Sequence, residues 1–168
     1  MSTTVVAVSS GTNVGIGQIA ASGDRDVFIS ALGLGSCIGI VMIDAHARVA
    51  GMAHVMLPEA GPTSSGPPGK FADTAVPALI ESVLRLGAHR SRLIAKIAGG
   101  AQMFGAGSGG GMLSIGERNA EAVRAGLRSA GILLRSADTG GNSGRTMQVH
   151  TSTGTVTVRI VGGRPVEL

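Results

Sequence analysis

Glycine places the tightest restriction on how this chain can fold, because 28 of its 168 residues are glycine, against an average of about 7% in proteins. The glycines follow no three-residue period, which excludes a collagen-like helix. They indicate many tight turns and close backbone approaches between short elements. Only 2% of the residues are aromatic, so the core has to be assembled from Ala, Val, Ile, Leu and Met.

The length and charge of the chain favour a single domain that does not bind nucleic acid. A chain of 168 residues fits one domain, 1–168, and its 43% hydrophobic content can fill a core. The net charge is +4, but the basic residues never occur three in a row, and aromatic residues for base stacking are nearly absent. We therefore expect no nucleic-acid partner, whereas a mildly basic surface suits an acidic protein partner.

The N-terminal sequence and the cysteine content predict a cytoplasmic protein. The segment MSTTVVAVSSGTN lacks the basic head and long apolar core of a signal peptide. No apolar run approaches the roughly 20 residues that span a bilayer, so we expect no membrane insertion. The single cysteine cannot form an internal disulfide, and nothing requires an oxidising compartment.

Short apolar segments predict more strand than helix. Residues 37–44, CIGIVMID, are apolar almost throughout, as in a strand buried on both faces. Residues 49–57 follow after a short turn, so the two segments are predicted to pair antiparallel. Residues 146–151 and 155–161 predict a C-terminal hairpin about the turn 152–154. The other predicted strands are 5–10, 15–22, 26–35, 93–101 and 131–138.

Two segments have helical periodicity. After the proline-rich loop 58–71, apolar residues recur at helical spacing, and Pro77 is tolerated there if the helix begins near residues 73–74. The second helix is predicted to begin at Ser114, with Glu117 completing a reciprocal capping box. Its predicted apolar face consists of Ile115, Ala122, Val123 and Leu127. Predicted loops cover 104–112 and 139–144.

Cys37 and His54 are the residues best suited to chemistry. Taken singly, a free cysteine is most often an inert buried residue, and a lone histidine on an apolar strand is most often a hydrogen-bonded core residue. If the two strands pair as predicted, however, the thiol and the imidazole lie at the same end, close enough for a nucleophile and its base. A thiol beside a protonated histidine and near the amides of the glycine turn would then have a depressed pKa, and those amides could bind an oxyanion.

Two other kinds of site fit the sequence less well. One cysteine and one suitable histidine are too few ligands for zinc. The segment GLGSC lacks the Lys-Ser/Thr pair that follows the glycines of a phosphate-binding loop. We therefore expect neither a metal nor a cofactor.

Six short motifs follow one another along nearly the whole chain. They are LGLGSC (32–37), GMAHVMLP (51–58), GKFADTAV (69–76), KIAGGAQMF (96–104), IGERN (115–119) and DTGGN (138–142). In this series the chain resembles the bacterial chemoreceptor glutamine deamidases, the CheD family. The resemblance implies an α+β fold, with a β-sandwich-like core of mostly antiparallel or mixed strands flanked by helices. It also implies hydrolysis of glutamine side chains in methyl-accepting chemotaxis receptors, a protein-glutamine glutaminase activity, with Cys37 as nucleophile and His54 as base.

One position departs from the family pattern. The resemblance implies a Thr six residues before the cysteine that orients the histidine, but residue 31 is Ala. Ser30 could substitute only through a bulge, because adjacent strand residues face opposite sides; a backbone carbonyl could also orient His54. Ser36 is a second auxiliary candidate. Candidate substrate-binding residues, which could equally be plain turn residues, are Gly35, Gly99, Gly100, Gly141 and Asn142.

The alternative function is a binding module with little catalysis. The resemblance implies that such a module would dock on chemoreceptors or on a chemotaxis phosphatase of the CheC type. Ala31 keeps this alternative open. Thiol reactivity discriminates between the two, because a binding module needs no activated thiolate.

Overall fold

The computed structural model describes residues 11–103 and 114–168. There the chain forms three layers: two helices, a five-stranded sheet against them, and a second five-stranded sheet behind the first. The helices are α1 (Ala72–Leu84) and α2 (Ile115–Ala130). The strands are β1 (Gly11–Asn13), β2 (Ile19–Ser22), β3 (Phe28–Leu34), β4 (Ile38–Asp44), β5 (Val49–Val55), β6 (Ile94–Gly99), β7 (Leu133–Thr139), β8 (Arg145–His150), β9 (Thr155–Ile160) and β10 (Val166–Glu167).

The two sheets are mixed. The sheet against the helices, here the middle sheet, has the order β2-β5-β4-β6-β7, and the outer sheet has the order β1-β3-β8-β9-β10. Neighbouring strands run antiparallel except β1 with β3 and β6 with β7, which are parallel. The predicted α+β fold with a sandwich of mixed strands is confirmed. Both helices pack on one face of the sandwich.

The central strand β4 is buried along all 7 residues. Its side chains alternate between two apolar layers: Ile38 and Ile40 pack toward the helices, whereas Val41 and Ile43 pack toward the outer sheet. A strand covered by helices on one side and by a sheet on the other has no water-facing side. This explains why its sequence is apolar throughout rather than alternating.

Both predicted helices are present, with three differences from the prediction. α1 begins at Ala72, so Pro77 lies inside the helix, where it cannot donate an intrahelical hydrogen bond, and not in the first turn. α2 begins after Ser114, whose Oγ accepts a hydrogen bond from the Glu117 amide at 3.3 Å, one half of the predicted capping box. Ile115, predicted to face the core, is 39% exposed. The buried stripe of α2 consists of Gly116, Asn119, Ala120, Val123 and Leu127.

The strand predictions hold better in the centre of the fold than at its edges. The β4–β5 pair and the β8–β9 hairpin are confirmed, whereas β1 and β10 were not predicted. In the predicted strand 15–22, residues 15–18 turn instead, and the Gly17 amide donates to the His54 carbonyl. The predicted strand 5–10 and loop 104–112 lie outside the described residues. Among the residues that are described, no helix has the length and apolar character needed to cross a bilayer.

Candidate active site

The register of β4 and β5 brings Cys37 and His54 to one end of the middle sheet. Gly39 pairs directly with His54, and Cys37 lies two residues before Gly39, on the same face of the sheet. Such diagonal neighbours have Cα atoms roughly 7–8 Å apart, within reach of their side chains. That face is the one between the two sheets, because Cys37 packs against the apolar cluster there. A Cβ on Gly39 would lie 2.9 Å from Met147 Sδ and 3.1 Å from Leu34 Cδ1, so these two side chains pack directly over Gly39 and a larger residue there would displace them.

His54 is held in one orientation by the segment that follows β1. Its ring Nδ1 lies 3.0 Å from the Val14 carbonyl oxygen in a buried hydrogen bond. A carbonyl can only accept, so Nδ1 carries the proton and Nε2 of the neutral ring has a lone pair. The same segment also fixes the backbone, since the His54 amide donates to Gln18 and the His54 carbonyl accepts from Gly17. The imidazole is thus prepared to accept a proton at Nε2.

The turn at residues 35–37 precedes β4 and carries the thiol. The Gly35 carbonyl accepts from the Ala101 amide at 2.8 Å, and the Cys37 carbonyl accepts from the Gly100 amide at 2.9 Å. A Cβ on Gly99 would collide with the Cys37 carbonyl oxygen, so the end of β6 can approach this turn only as glycine. The amides of residues 35–37 donate to no acceptor among the described residues.

The thiol and the imidazole are both stabilised in their neutral forms. Burial raises the pKa of the Cys37 thiol above its ordinary value. Burial also lowers the pKa of His54, and the hydrogen bond to Val14 offsets only part of that shift. The sequence-based expectation of a depressed thiol pKa is therefore wrong for the free protein. The glycine turn is present, but the pKa of the thiol responds to its desolvation.

Ala31 and Ser30 point to opposite sides of β3. Ala31 is fully buried between the sheets. The Ser30 hydroxyl accepts a hydrogen bond from Gln148 Nε2 at 3.0 Å, so it is engaged on β8 and not at His54. Of the two substitutes considered from the sequence, the backbone carbonyl is the one that contacts the ring, and it belongs to Val14.

The predicted wall residues lie at the same end of the sheet. Gly99 pairs with Ile38 on one side and with Thr139 on the other, which brings the loop after β7 beside the thiol turn. The Gly141 carbonyl accepts from the Gln102 amide at 2.8 Å. Asn142 is exposed, and its Oδ1 accepts from the Ser143 hydroxyl. The Ser36 hydroxyl makes no hydrogen bond among the described residues, although the Ser36 carbonyl does.

Sequence reasoning missed the group that shapes this loop. Arg145, almost fully buried, forms an ion pair with Asp138 at 2.9 Å. The same guanidinium donates to the carbonyls of Asp138, Gly140 and Ser143. One buried cation therefore fixes the course of residues 138–143. An arginine at the start of a strand gives no sign of this in the sequence, because its partners depend on the loop conformation.

The described residues contain no cluster of three or more His, Cys, Asp or Glu side chains that could hold a metal ion. The fold and the site together define an α+β sandwich in which a thiol and an imidazole lie at the same end of the central strands.

Comparisons with known proteins extend this description. A family model described as CheD chemotactic sensory transduction matches residues 56–160. A protein of Desulfitobacterium hafniense (strain DSM 10664 / DCB-2), named probable chemoreceptor glutamine deamidase CheD, is 46% identical over 149 residues, which cover 89% of this chain and 92% of that protein. The Thermotoga maritima protein named chemoreceptor glutamine deamidase CheD is 47% identical over 150 residues, with the same coverage of 89% and 92%. The chain belongs to the CheD family.

One solved structure is weakly similar to part of this chain. The hypothetical protein YfiH of Bacillus licheniformis aligns with a TM-score of 0.31 and 15% identity, over 48% of this chain and 26% of that one. A likeness this weak carries no conclusion about fold or function.

Proposed function

We propose that this protein hydrolyses the side-chain amides of selected glutamines in methyl-accepting chemotaxis receptors, leaving glutamate and releasing ammonia. Membership of the CheD family and the names of its relatives support this activity. The observation that carries the chemistry is the hydrogen bond from His54 Nδ1 to the Val14 carbonyl. It leaves Nε2 as a base on the same face as the Cys37 thiol.

The first half of the proposed reaction transfers the acyl group to the thiol. His54 Nε2 takes the proton from Cys37 Sγ as the sulfur attacks the amide carbon. The negative charge that develops on the amide oxygen is stabilised by backbone amides of residues 35–37, which donate to no described acceptor. The C–N bond then breaks, and the protonated His54 gives its proton to the departing ammonia. A thioester on Cys37 remains.

The second half regenerates the thiol. A water molecule attacks the thioester carbon while His54 Nε2 accepts its proton. The C–S bond breaks, the receptor side chain leaves as a glutamate carboxyl, and the thiolate recovers a proton from His54. Because burial raises the pKa of Cys37 and lowers that of His54, both favouring the neutral forms, we take the histidine as a general base rather than as the partner of a preformed thiolate.

The setting of the reaction is part of the proposal. We take the whole chain, 1–168, as one catalytic domain that works in the cytoplasm on the receptors' cytoplasmic segments. The residues around the turn, Gly35, Gly99, Gly100, Gly141 and Asn142, are proposed to line the approach to the thiol, with Ser36 as an auxiliary group. No cofactor is required by the two steps.

Mass spectrometry of a receptor cytoplasmic fragment tests the proposal. After incubation with the protein, particular glutamines should show the mass gain of replacing NH2 by OH, together with an equal amount of released ammonia. In heavy-oxygen water the new carboxyl should carry the label, because water resolves the thioester. His54→Ala is the matched control and should leave the fragment unchanged. Receptor fragments from the same organism that stay unmodified at every glutamine would refute the activity.

Docking of a CheC-type phosphatase is a second proposal, favoured by exposed apolar side chains near the site. Ile16, Leu32, Met56 and Met103 are 54%, 55%, 38% and 50% exposed; we call them the apolar rim. They lie on the segments that carry Val14, Cys37 and His54, or against Gly35. A bound phosphatase should slow alkylation of Cys37 by iodoacetamide, and Leu32→Glu should abolish that protection. Unchanged alkylation at saturating phosphatase would exclude docking at this rim.

A further inference from the structure

The turn that carries Cys37 has all three of its carbonyl groups bonded. Backbone amides of residues 100 and 101 hold the carbonyls of Cys37 and Gly35. The Ser36 carbonyl between them is held by a side chain, Asn119 Nδ2, at 2.9 Å. In the described part of the chain no other side chain bonds to this turn. Its geometry therefore depends on two backbone contacts and one carboxamide.

The same carboxamide also holds the end of the histidine strand. Asn119 Nδ2 donates its second hydrogen to the Met56 carbonyl at 2.9 Å, two residues beyond His54. Both partners are carbonyls, which can only accept, so the amide nitrogen and not the oxygen must face them. One side chain thus bridges the residue before Cys37 and the end of the strand that presents His54.

Asn119 occupies a place where the helix otherwise presents apolar or small side chains. It is fully buried on the inner stripe of α2, near Ala120 and Val123. Its Oδ1 is buried and has no hydrogen-bond partner among the described residues, so only its two donors are used. A buried amide with an unpaired oxygen is unfavourable for stability alone. An asparagine at this position is therefore better explained by the hydrogen bonds that its two donors make to the Ser36 and Met56 carbonyls.

Glycine contacts set the distance from the helix to the turn. A Cβ on Gly116 would lie 2.5 Å from the Gly100 carbonyl oxygen and 2.7 Å from that of Ala101. The first turn of α2 therefore rests directly on the backbone that bonds residues 35 and 37. Asn119 follows Gly116 by one helical turn on the same face, which places its amide at the Ser36 carbonyl. The motifs KIAGGAQMF and IGERN thus meet at the thiol turn.

We propose that Asn119 is the positioning residue of the Cys37–His54 pair, acting by tying the thiol turn to the end of β5. Because this inference rests on the proposed function, it deepens that function and assigns no new reaction. Loss of the two donors frees the Ser36 and Met56 carbonyls, so the turn and the strand can move relative to each other. A displacement of about 1 Å in such a pair costs up to a hundredfold in turnover.

Two variants of nearly unchanged size test the role of the donors. Asn119→Asp keeps the shape but puts carboxylate oxygens against two carbonyls, and Asn119→Leu keeps the volume without any donor. We expect kcat to fall at least about thirtyfold in both, with the larger loss for Asn119→Asp, while KM changes less than about threefold. Val123→Ala is the matched control, since it removes buried volume one turn along the same stripe. It should keep wild-type kcat below its unfolding temperature.

A second measurement does not need the receptor. Loosening the turn exposes Cys37 to water, so the midpoint of its alkylation by iodoacetamide should move to lower pH in Asn119→Leu and remain at the wild-type value in Val123→Ala. If a variant does not fold, Asn119→Ser, which removes little volume and keeps one donor, replaces it.

The outcomes separate the two proposals. With an active wild-type protein, kcat decides: equal turnover of the Asn119 variants and Val123→Ala would overturn the positioning role. If the wild-type protein releases no ammonia, the proposed function has failed. The alkylation midpoints then decide, and coinciding midpoints for wild type and Asn119→Leu would overturn the positioning role by themselves.

Discussion

The polar groups at the two ends of β4 differ in how completely they are hydrogen-bonded. At the far end Asp44 is fully buried, and its carboxylate accepts from the amides of Ala47 and His89 and from the Arg92 guanidinium. Burial alone raises the pKa of Asp44, but these donors lower it well below the usual range. The group is charged, fully bonded and of no use for proton transfer.

At the near end, beside Cys37, the polar groups have few hydrogen-bond partners among the described residues. Cys37 is half-buried, and the His54 ring makes one hydrogen bond with the described residues, to the Val14 carbonyl. In the described chain neither has a charged partner, and burial favours the neutral form of each. Hydrogen-bond and ion-pair partners, rather than burial, therefore distinguish a structural polar group from a reactive one. A carboxylate with every lone pair occupied stabilises the fold, whereas an imidazole with a free Nε2 can exchange protons.

The largest expected effect on turnover comes from replacing the thiol at the near end of β4. Cys37→Ser should lower turnover on a receptor fragment at least about a thousandfold, because a neutral hydroxyl is a far weaker nucleophile than sulfur. The free energy of unfolding should change by less than about 1 kcal/mol. Kinetics and urea denaturation measure the two quantities. Wild-type turnover in this variant would show that another residue is the nucleophile.

Replacing Asp44 at the far end should have the reverse effect, a loss of stability with little change in turnover. Asp44→Ala leaves two amides without their acceptor and Arg92 without its partner, which should cost about 2–4 kcal/mol of stability. Turnover of the folded protein should stay within about threefold of wild type. Asp44→Asn, which keeps one acceptor oxygen, is the matched control and should lose less. A large loss of kcat at full folding would mean that the two ends are coupled.

The pH dependence of stability distinguishes these Asp44 variants further. A carboxyl whose pKa is lowered by folding contributes stability above its unfolded pKa of about 3.9, and that contribution is lost as the pH falls toward the folded pKa. Wild-type stability should therefore fall more steeply below about pH 4 than the stability of Asp44→Asn. Identical slopes would show that the charge of Asp44 contributes nothing.

The pH profile of turnover sharpens the account of the reactive end. Because burial lowers the pKa of His54, the acidic limb of kcat/KM should have its midpoint below the usual histidine value of about 6.5. Because burial raises the pKa of Cys37, alkylation by iodoacetamide should have its midpoint above about 8.5. An acidic limb above 6.5 would contradict the lowered pKa of His54, and a thiol midpoint below 8.5 would indicate a preformed ion pair instead.

The smallest effect is expected at position 31. The Val14 carbonyl already orients His54, so Ala31→Thr should change turnover by less than about tenfold, or ~1.4 kcal/mol of barrier. Ser30→Ala is its control and should have no effect, since the Ser30 hydroxyl is bonded to Gln148. Turnover of both variants on one receptor fragment measures this. A hundredfold gain for Ala31→Thr would show that the carbonyl is a poor substitute and would favour the docking role.

The sequence by itself determined the elements around the site and the pairing of their strands. The apolar run 37–44 and the segment 49–57 predicted an antiparallel pair, and that pair places Cys37 and His54 at one end. Such elements can be predicted because side chains are buried on fixed faces, and the order of apolar and polar residues in the sequence shows which faces these are. The motif series likewise indicated the family before any contact was known.

Only the tertiary structure decided how the site is completed. The Val14 carbonyl at His54 and the turn carbonyls at residues 35–37 are backbone groups, which every residue possesses, so no sequence pattern marks them. Asn119 is visible as a polar residue on a helix, but its two acceptors lie more than sixty positions away in the chain. The direction of the Cys37 pKa shift was mispredicted because burial cannot be read from the local sequence. The depth of burial depends on which layers close over a residue, and desolvation raises the pKa of this thiol.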